Sequence, residues 1–237
     1  MRFANVVAAC VLLASFCGAP RAQAQQQGFQ IPGVPPSGDV KTLVTQYVAA
    51  FNAKDMQRLD ALLHPKSLAC ITPESKSFYE DQMAIQWREP IAANYNARVV
   101  PVNEGNVKAL ASMMVVFPVK PTQEVDIDAQ QGDDVWGTTI WLVRENGRLY
   151  DDQPCATDEY LKKYRDEAPA RAKEEAHFQA LAAQVKDPLR AQLVALLRQH
   201  ETGQAETRYQ AATGADLRTA ARVMIELTPE ARGTSPH

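Results

Sequence analysis

Few residues of this sequence have the type and spacing that chemistry at an active site requires. The histidines are scattered, and none forms the HExxH pattern of a zinc protease: His64, His177, His200 and His237. The sequence also contains no G-x-S-x-G nucleophile elbow and no glycine-rich phosphate loop. Motifs therefore predict no catalytic residue, no metal site and no cofactor.

The densest group of oxygen ligands lies in "VDIDAQQGDD", residues 125–134, which holds Asp126, Asp128, Asp133 and Asp134. Calcium binds such oxygens, but the spacing is not that of an EF-hand. The acids alternate with Val125 and Ile127, which is typical of the wet face of an edge strand. We favour a solvated hairpin over a calcium site.

Residues 1–24 have the pattern of a secretory signal peptide. Arg2 supplies a positive charge, an apolar run extends from Val6 to Phe16, and "AQA" at 22–24 predicts cleavage before Gln25. The apolar run is too short to cross about 30 Å of hydrocarbon, so no membrane span is expected. We expect an exported, soluble protein of the periplasm or the extracellular space.

Export changes what the cysteines are expected to do. Cys10 and Cys17 would leave with the signal peptide, so the mature chain would keep Cys70 and Cys155. An even pair in an oxidising compartment favours a disulfide over two buried free thiols or a Cys-His nucleophile. Closing so long a loop contributes about 4–5 kcal/mol in the chain-entropy model.

The composition is that of an ordinary globular protein. Hydrophobic residues make up 46% of the 237 residues and the formal net charge is −3, so no nucleic-acid partner is expected. A leader at 25–38, rich in Gln and Pro, is expected to be flexible. Helical patterns then come first and strand patterns follow, which predicts an α+β fold.

Local patterns place these elements along the chain. Apolar residues recur at helical spacing from Leu43 to Phe51, and Asp55 can cap a second helix that Pro65 ends. We predict a first strand at 67–72, a third helix near 78–95 capped by Ser77, and further strands at 97–105, 108–120 and 133–146. Asn146-Gly147 predicts a hairpin turn.

Two stretches carry a family resemblance. "LVTQYVAAFNAKDMQRLDALLHP" (43–65) resembles the opening of the NTF2-like superfamily, which includes ketosteroid isomerases and SnoaL-like cyclases, and "WLVRENGRLYDDQ" (141–153) resembles its last strands. The resemblance covers about residues 39–155. It implies a cone-shaped domain in which three N-terminal helices lie on a curved antiparallel sheet around a pocket.

Ketosteroid isomerases place a Tyr on the first helix as an oxyanion donor, and Tyr47 matches that position. Their Asp base on the first strand would fall among Cys70, Ile71 and Thr72, and their second Asp near Thr138 or Thr139. Because both carboxylates are missing, and proton transfer needs a base, classical isomerase chemistry is not expected. Tyr47 is then interpreted as an aromatic core residue with a hydrated hydroxyl.

The resemblance also implies which residues line the pocket. SnoaL-like enzymes employ His and Asp there, which makes His64 a candidate, although a histidine at a helix C-terminus has an ordinary structural explanation. Trp136 and Trp141 are five residues apart on one strand, so they point to opposite faces and only one can face the interior. The predicted ligand-binding residues are Tyr47, Phe51, His64, Trp87 and Trp141.

Residues 156–230 show helical patterns throughout and are predicted to form an all-helical C-terminal extension, followed by a disordered tail at 231–237. The extension carries an apolar stripe from Leu189 to Leu197 and few aromatic residues. We expect it to be too small for a large core of its own, so that the stripe packs on the cone domain or on a second copy of the chain.

The expected function is that of an exported, non-catalytic NTF2-like protein that binds a small apolar molecule or a protein partner. The alternative is a SnoaL-like enzyme of the isomerase, cyclase or hydrolase type, acting on a small organic substrate in the cone pocket. The superfamily hosts many chemistries, so the fold does not decide between them. A homodimer formed through the sheet is a further expectation from the resemblance.

Overall fold

The computed structural model describes residues 33–233. The predicted signal peptide, most of the predicted leader and the last four residues of the predicted tail lie outside this range. The described chain divides into two compact units. The first contains residues 33–129 with Trp136–Lys163, and the second contains Gln130–Val135 with residues 164–233.

The first unit combines helices with antiparallel strands, which confirms the α+β fold class. Its helices before the sheet are α1 (Gly38–Asn52), α2 (Met56–Asp60), α3 (Pro65–Leu68) and α4 (Lys76–Gln86). Strand β1 (Asn96–Val100) and helix α5 (Glu104–Ser112) follow. The remaining strands are β2 (Val115–Val116), β3 (Gln123–Gln131), β4 (Asp134–Glu145), β5 (Arg148–Asp151) and β6 (Cys155–Ala156).

Helix α1 forms because its apolar residues share one face. Leu43, Val44, Tyr47 and Phe51 recur three or four positions apart and are buried. The chain then turns through Lys54, and Asp55 caps α2 by accepting a hydrogen bond from the Arg58 backbone N–H at 3.1 Å, as predicted.

The structure corrects the sequence around Pro65. Residues 67–72 form no strand, and Pro65 begins helix α3 instead of ending α2, which already stops at Asp60. Proline suits the first position of a helix because the N–H it lacks would have had no partner there. A single parallel bridge between Leu63 and Asp151 lies just before this segment.

Two other predicted elements also change. Helix α4 begins after Ser75, not Ser77, and ends before Trp87. Residues 108–120 were predicted as a strand, but Asn103 caps helix α5 by accepting from the N–H groups of Gly105 and Asn106. Within the predicted strand, Val115–Val116 alone is extended, because the cap starts a helix that the Val- and Met-rich sequence does not prevent.

The main sheet has the strand order β1-β3-β4-β5. Strand β3 therefore lies between two strands, and its interpretation as an edge strand was wrong. Val125 and Ile127 face one side, where they are buried, while Asp126 and Asp128 face the other. The predicted hairpin turn at Asn146-Gly147 is present, since both residues have positive φ, at 51° and 79°.

The second unit is helical apart from the β3–β4 turn that belongs to it. Its helices are α7 (Ala168–Gln184), α8 (Leu189–Arg198), α9 (Thr202–Thr213) and α10 (Leu217–Ala231), and helix α6 (Asp158–Asp166) spans the boundary between the units. Helix α10 continues through Pro229, so the last helix reaches the position where the tail was predicted to begin.

The helical unit has a hydrophobic core of its own, contrary to the prediction. Leu193 and Leu197 of the predicted stripe are buried among residues of α7, α9 and α10, including Tyr209, Val223 and Leu227. Four helices of ten or more residues supply enough apolar faces to bury the stripe without a large number of aromatic side chains. The stripe therefore does not require another surface.

Within residues 33–233, every helix falls short of the length and apolar character that crossing a bilayer demands.

Candidate functional site

The inner face of the main sheet is covered by α1. Alternate residues of β3 and β4 point to this face, and Ile127, Ile140 and Leu142 are buried there in one cluster with Tyr47 and Phe51. Tyr47 and Phe51, two of the residues predicted to line the pocket, therefore lie on the face of α1 that packs against the sheet.

Aromatic side chains border this buried floor. Trp136 meets Phe51 edge to face with 5.7 Å between ring centroids, and Trp87 and Tyr95 are half-buried against the same core. We call Phe51, Trp87, Tyr95 and Trp136 the aromatic cluster. Three of its rings, those of Trp87, Tyr95 and Trp136, are partly exposed, and Phe51 is buried. The exposed rings resemble the mainly apolar lining of small-molecule sites.

Trp141, one of the predicted ligand-binding residues, does not join this cluster. It lies on the opposite face of β4, where its indole N–H donates to Glu124 at 3.2 Å and its ring packs on Phe117 at 5.2 Å. The period of two along a strand separates Trp136 from Trp141. The tryptophan that faces α1 is Trp136.

The indole N–H of Trp87 is the unsatisfied polar group of the aromatic cluster. Trp87 is the C-cap of α4, and its Nε1 atom is buried without a hydrogen-bond partner among the described residues. A buried N–H group without an acceptor lowers the stability of the folded state by about 1–3 kcal/mol. An acceptor on a bound molecule would remove that penalty.

A buried carboxyl group, Asp151, lies at the end of β5 near Tyr47. Asp151 is 2% exposed, and burial raises its pKa to about 7, while the hydrogen bond from Gln153 lowers it and the neighbouring Asp152 raises it. Gln153 donates to both carboxylate oxygens, at 3.1 and 2.9 Å. Asp151 is therefore held on both oxygens by its own chain.

Tyr47 is electrostatically linked to this carboxyl group. Burial first, and then the negative charge of Asp151, raise the pKa of Tyr47, while a hydrogen bond with Thr138 lowers it. Thr138 is a position where the isomerase resemblance led us to look for a carboxylate. The buried carboxyl group near the tyrosine comes instead from the neighbouring strand β5.

Asp152, the residue directly after β5, is a second buried carboxyl group next to Asp151. It is fully buried, and Ser67 of α3 donates to its Oδ1 atom at 2.7 Å. Burial raises the pKa of Asp152, while Ser67 and His64 lower it. The sequence analysis missed both acids. The apolar Leu149, partly buried and two positions before Asp151, was a signal that Asp151 points inward.

His64 is buried, but its two ring nitrogens are engaged. Nδ1 accepts from the Lys66 backbone N–H at 3.2 Å, which caps α3, and Nε2 lies 3.2 Å from Glu145. Because Nδ1 accepts, the ring proton is assigned to Nε2 in the neutral form. The histidine is thus an N-cap and not, as predicted, the residue at a helix C-terminus, and neither nitrogen is free for a ligand.

The predicted disulfide between Cys70 and Cys155 is present, with 5.8 Å between the Cα atoms. It joins the chain just after α3 to strand β6. Among residues 33–233, no group of three or more His, Cys, Asp or Glu side chains is placed to hold a metal ion.

A surface groove of about 310 Å³ lies elsewhere in the first unit. Leu43, Leu62 and Leu149 form its apolar part, and Asp39 and Arg148 are at its border. None of its lining residues belongs to the aromatic cluster. Asp39 is already paired with Arg144, at 2.5 Å.

One segment of the chain matches a known family. Residues 40–150 match the family model described as a SnoaL-like domain, and the match does not extend into the helical extension. No curated protein and no solved structure gives a significant match to the chain.

Proposed function

Because residues 40–150 form a SnoaL-like domain of the NTF2-like superfamily, we propose that this domain binds a small apolar molecule at the aromatic cluster without transforming it. The buried Trp87 N–H, which has no acceptor among the described residues, is the observation that carries the proposal. A ligand acceptor at this position would recover about 1–3 kcal/mol, which is roughly a fivefold to 150-fold gain in affinity.

The surrounding side chains define the class of ligand. Trp87, Tyr95 and Trp136 are partly exposed and offer ring surfaces, which favour a planar, apolar molecule, while Phe51 is buried behind them in the core. The Trp87 N–H adds the requirement for one hydrogen-bond acceptor. A flat aromatic or alicyclic ketone meets both requirements.

Binding without turnover is supported by how the polar groups are engaged. A general base must come within hydrogen-bond reach of the proton that it removes. His64 uses one ring nitrogen for the α3 cap and the other for Glu145, and Gln153 occupies both oxygens of the buried Asp151. These two candidate bases already have partners. The third buried acid described above, Asp152, is bonded to Ser67 through Oδ1, and its Oδ2 atom has no partner among the described residues.

One observation favours the alternative of an enzyme. The pKa of Asp151, raised by burial to about 7, suits a general acid or base at neutral pH, and Tyr47 lies within its electrostatic influence. A SnoaL-like enzyme would use this pair if the substrate displaced Gln153 from the carboxyl group.

Titration with 2-acetylnaphthalene, a planar ketone, tests the binding proposal. In a spectrum of protein with ¹⁵N-labelled indoles, we expect the Trp87 resonance to move downfield as its N–H gains an acceptor, and the Trp141 resonance to stay in place because it already donates to Glu124. Saturable binding that leaves the Trp87 resonance unmoved would contradict the proposal.

Turnover experiments address the alternative. We expect no isomerisation of a β,γ-unsaturated ketosteroid by the wild-type protein. Turnover that disappears in both Tyr47→Phe and Asp151→Asn, while each variant keeps its fold by circular dichroism, would establish the enzyme and overturn the proposal of binding alone.

The cellular setting belongs to the same proposal. The Cys70–Cys155 disulfide supports an exported protein in an oxidising compartment, because such bonds persist there. Amino-terminal sequencing of protein recovered from outside the cytoplasm should begin at Gln25, and a chain that keeps Met1 would contradict export. Sedimentation at several concentrations tests the homodimer expected through the sheet.

A further inference from the structure

We propose that formation of the Cys70–Cys155 disulfide switches the ligand site on, so that the oxidised chain binds and the dithiol chain does not. This inference rests on the proposed function, because it concerns the regulation of the same site. The disulfide is the fourth in a row of connections between two segments, 62–70 and 151–155, and it lies next to the start of the helix that ends before Trp87.

The first two connections in the row are made by the backbone of Asp151. The Asp151 N–H donates to the Leu62 carbonyl at 2.9 Å, and the His64 N–H donates to the Asp151 carbonyl at 2.8 Å. Ser67 then donates to the Asp152 carboxylate at 2.7 Å. The covalent bond from Cys70 to Cys155 completes the row.

Helix α3 depends on these connections. It has four residues, which is far below the length at which a helix is stable in water by itself. Its position therefore depends on the cap from His64, the Ser67 hydrogen bond and the disulfide. Without the disulfide, the segment after Leu68 loses its covalent connection to β6.

A second path leads from the disulfide to the aromatic cluster. The Cys70 carbonyl accepts from the Ser75 hydroxyl at 2.7 Å, and Ser75 is the N-cap residue of α4. One turn into α4, the Tyr79 hydroxyl accepts from the Ala156 N–H, next to Cys155, at 3.2 Å. Cys70 and the residue that follows Cys155 thus both form hydrogen bonds with the start of α4.

The other end of α4 carries Trp87. Because a helix moves as a rigid element over eleven residues, displacement of its first turn displaces Trp87 relative to Phe51 and Trp136. Loss of the disulfide should therefore separate the Trp87 N–H from the rest of the aromatic cluster. The oxidised chain keeps these groups together.

The switching step is thiol–disulfide exchange. The Cys70 and Cys155 thiols give up two electrons and two protons and form one S–S bond, while the S–S bond of a protein disulfide oxidant breaks and becomes a dithiol. Cys70 is half-buried and Cys155 is 8% exposed, so Cys70 is the sulfur that the oxidant reaches first. A chain in a reducing compartment would remain without a functional site until it is exported.

The test compares the oxidised chain with the same chain reduced by dithiothreitol. Binding of 2-acetylnaphthalene should be at least tenfold weaker after reduction, with the far-ultraviolet circular dichroism retained. Amide hydrogen exchange across α4, residues 76–86, should become faster, while exchange in the buried strands β3 and β4 should change little. Reoxidation should restore both affinity and exchange.

Variants separate the switch from general stabilisation. Ser75→Ala keeps the disulfide but removes the hydrogen bond from the Ser75 hydroxyl to the Cys70 carbonyl at the start of α4. We therefore expect an oxidised chain with about threefold weaker binding and faster exchange in α4. Ser112→Ala is the matched control, because its hydroxyl bonds locally to the Ala109 carbonyl on exposed α5. It should bind like the wild type.

Each outcome decides the question. Equal affinity and equal α4 exchange in the oxidised and reduced chains overturn the inference, and so does global unfolding on reduction, since the disulfide would then only stabilise the fold. If the oxidised chain does not bind 2-acetylnaphthalene, the proposed function fails, and exchange alone decides: faster α4 exchange in a folded reduced chain supports the mechanical switch, and unchanged exchange overturns it.

Discussion

A single side-chain nitrogen, Nε2 of Gln153, donates to both carboxylate oxygens of Asp151, at 3.1 and 2.9 Å. This pair lies at the end of β5, where Asp151 is 2% exposed. Burial nevertheless dominates, and the pKa of Asp151 rises to about 7 despite the hydrogen bonds. The stability of the domain is therefore linked to pH near neutrality.

We expect the wild-type protein to lose stability as the pH rises from 3.8 to about 7. The pKa of Asp151 is higher in the folded chain than its ordinary value of 3.8, so the neutral carboxyl favours the folded state. This contribution is fully present below pH 3.8 and is lost as the pH rises through about 7. The difference amounts to at most about 4 kcal/mol.

Urea unfolding of Asp151→Asn checks this expectation. The variant should lose the part of the pH dependence between pH 3.8 and about 7 that Asp151 contributes, because its side chain does not ionise. Asp158→Asn, at an exposed position at the start of α6, should keep the wild-type profile. An Asp151→Asn variant with an unchanged slope would show that this carboxyl is not the linked group.

His64 is expected to stabilise α3 and not to act on a ligand. His64→Ala removes a buried side chain and the cap for the Lys66 N–H, which should lower the free energy of unfolding by about 2–4 kcal/mol. His64→Asn keeps an acceptor at the cap and should recover about 1 kcal/mol of that loss.

His177→Ala provides the comparison for His64, because His177 is exposed on α7. It should change stability by less than about 0.5 kcal/mol. Chemical denaturation measures all three variants. If His64→Ala is as stable as His177→Ala, the two hydrogen bonds of the His64 ring do not support the fold as described.

Gly132, in the β3–β4 turn, tests close packing in the helical unit, and Gly147, in the β4–β5 turn, provides the comparison. Both have positive φ, but a Cβ at Gly132 would lie 2.5 Å from the His200 carbonyl oxygen, whereas a Cβ at Gly147 would meet no atom within 4 Å. Gly147→Ala should cost about 1–2 kcal/mol through backbone strain alone. Gly132→Ala should cost about 1–3 kcal/mol more because backbone atoms must move. Equal losses in thermal unfolding would argue against this contact.

The sequence predicted those parts of the fold that local chemistry decides. The stripe on α1 and the Asp55 cap depend on residues within one or two turns of each other, and Asn146-Gly147 carries its turn in two residues. The prediction failed where one residue serves two purposes. Pro65 suits both the end of one helix and the start of the next, and Asn103 began a helix in a stretch that favours strands.

The candidate site was predicted only in part, for a related reason. The resemblance placed Tyr47 and Phe51 on the helix face that meets the sheet, because helical spacing fixes their shared direction. Strand alternation shows that Trp136 and Trp141 face opposite sides, but it does not say which side is inside. Asp151 was missed because a carboxyl group is expected at the surface unless its burial is visible from neighbouring residues.

The central claim is that the Trp87 N–H selects a ligand acceptor, and paired affinities test it most directly. 2-Acetylnaphthalene and 2-isopropenylnaphthalene have nearly the same shape, but only the ketone offers an acceptor. Isothermal titration of the wild-type protein should show the ketone binding about tenfold more tightly, and Trp87→Phe should reduce this ratio to about one. A ratio near one in the wild type, or a ratio that Trp87→Phe leaves unchanged, would contradict the account.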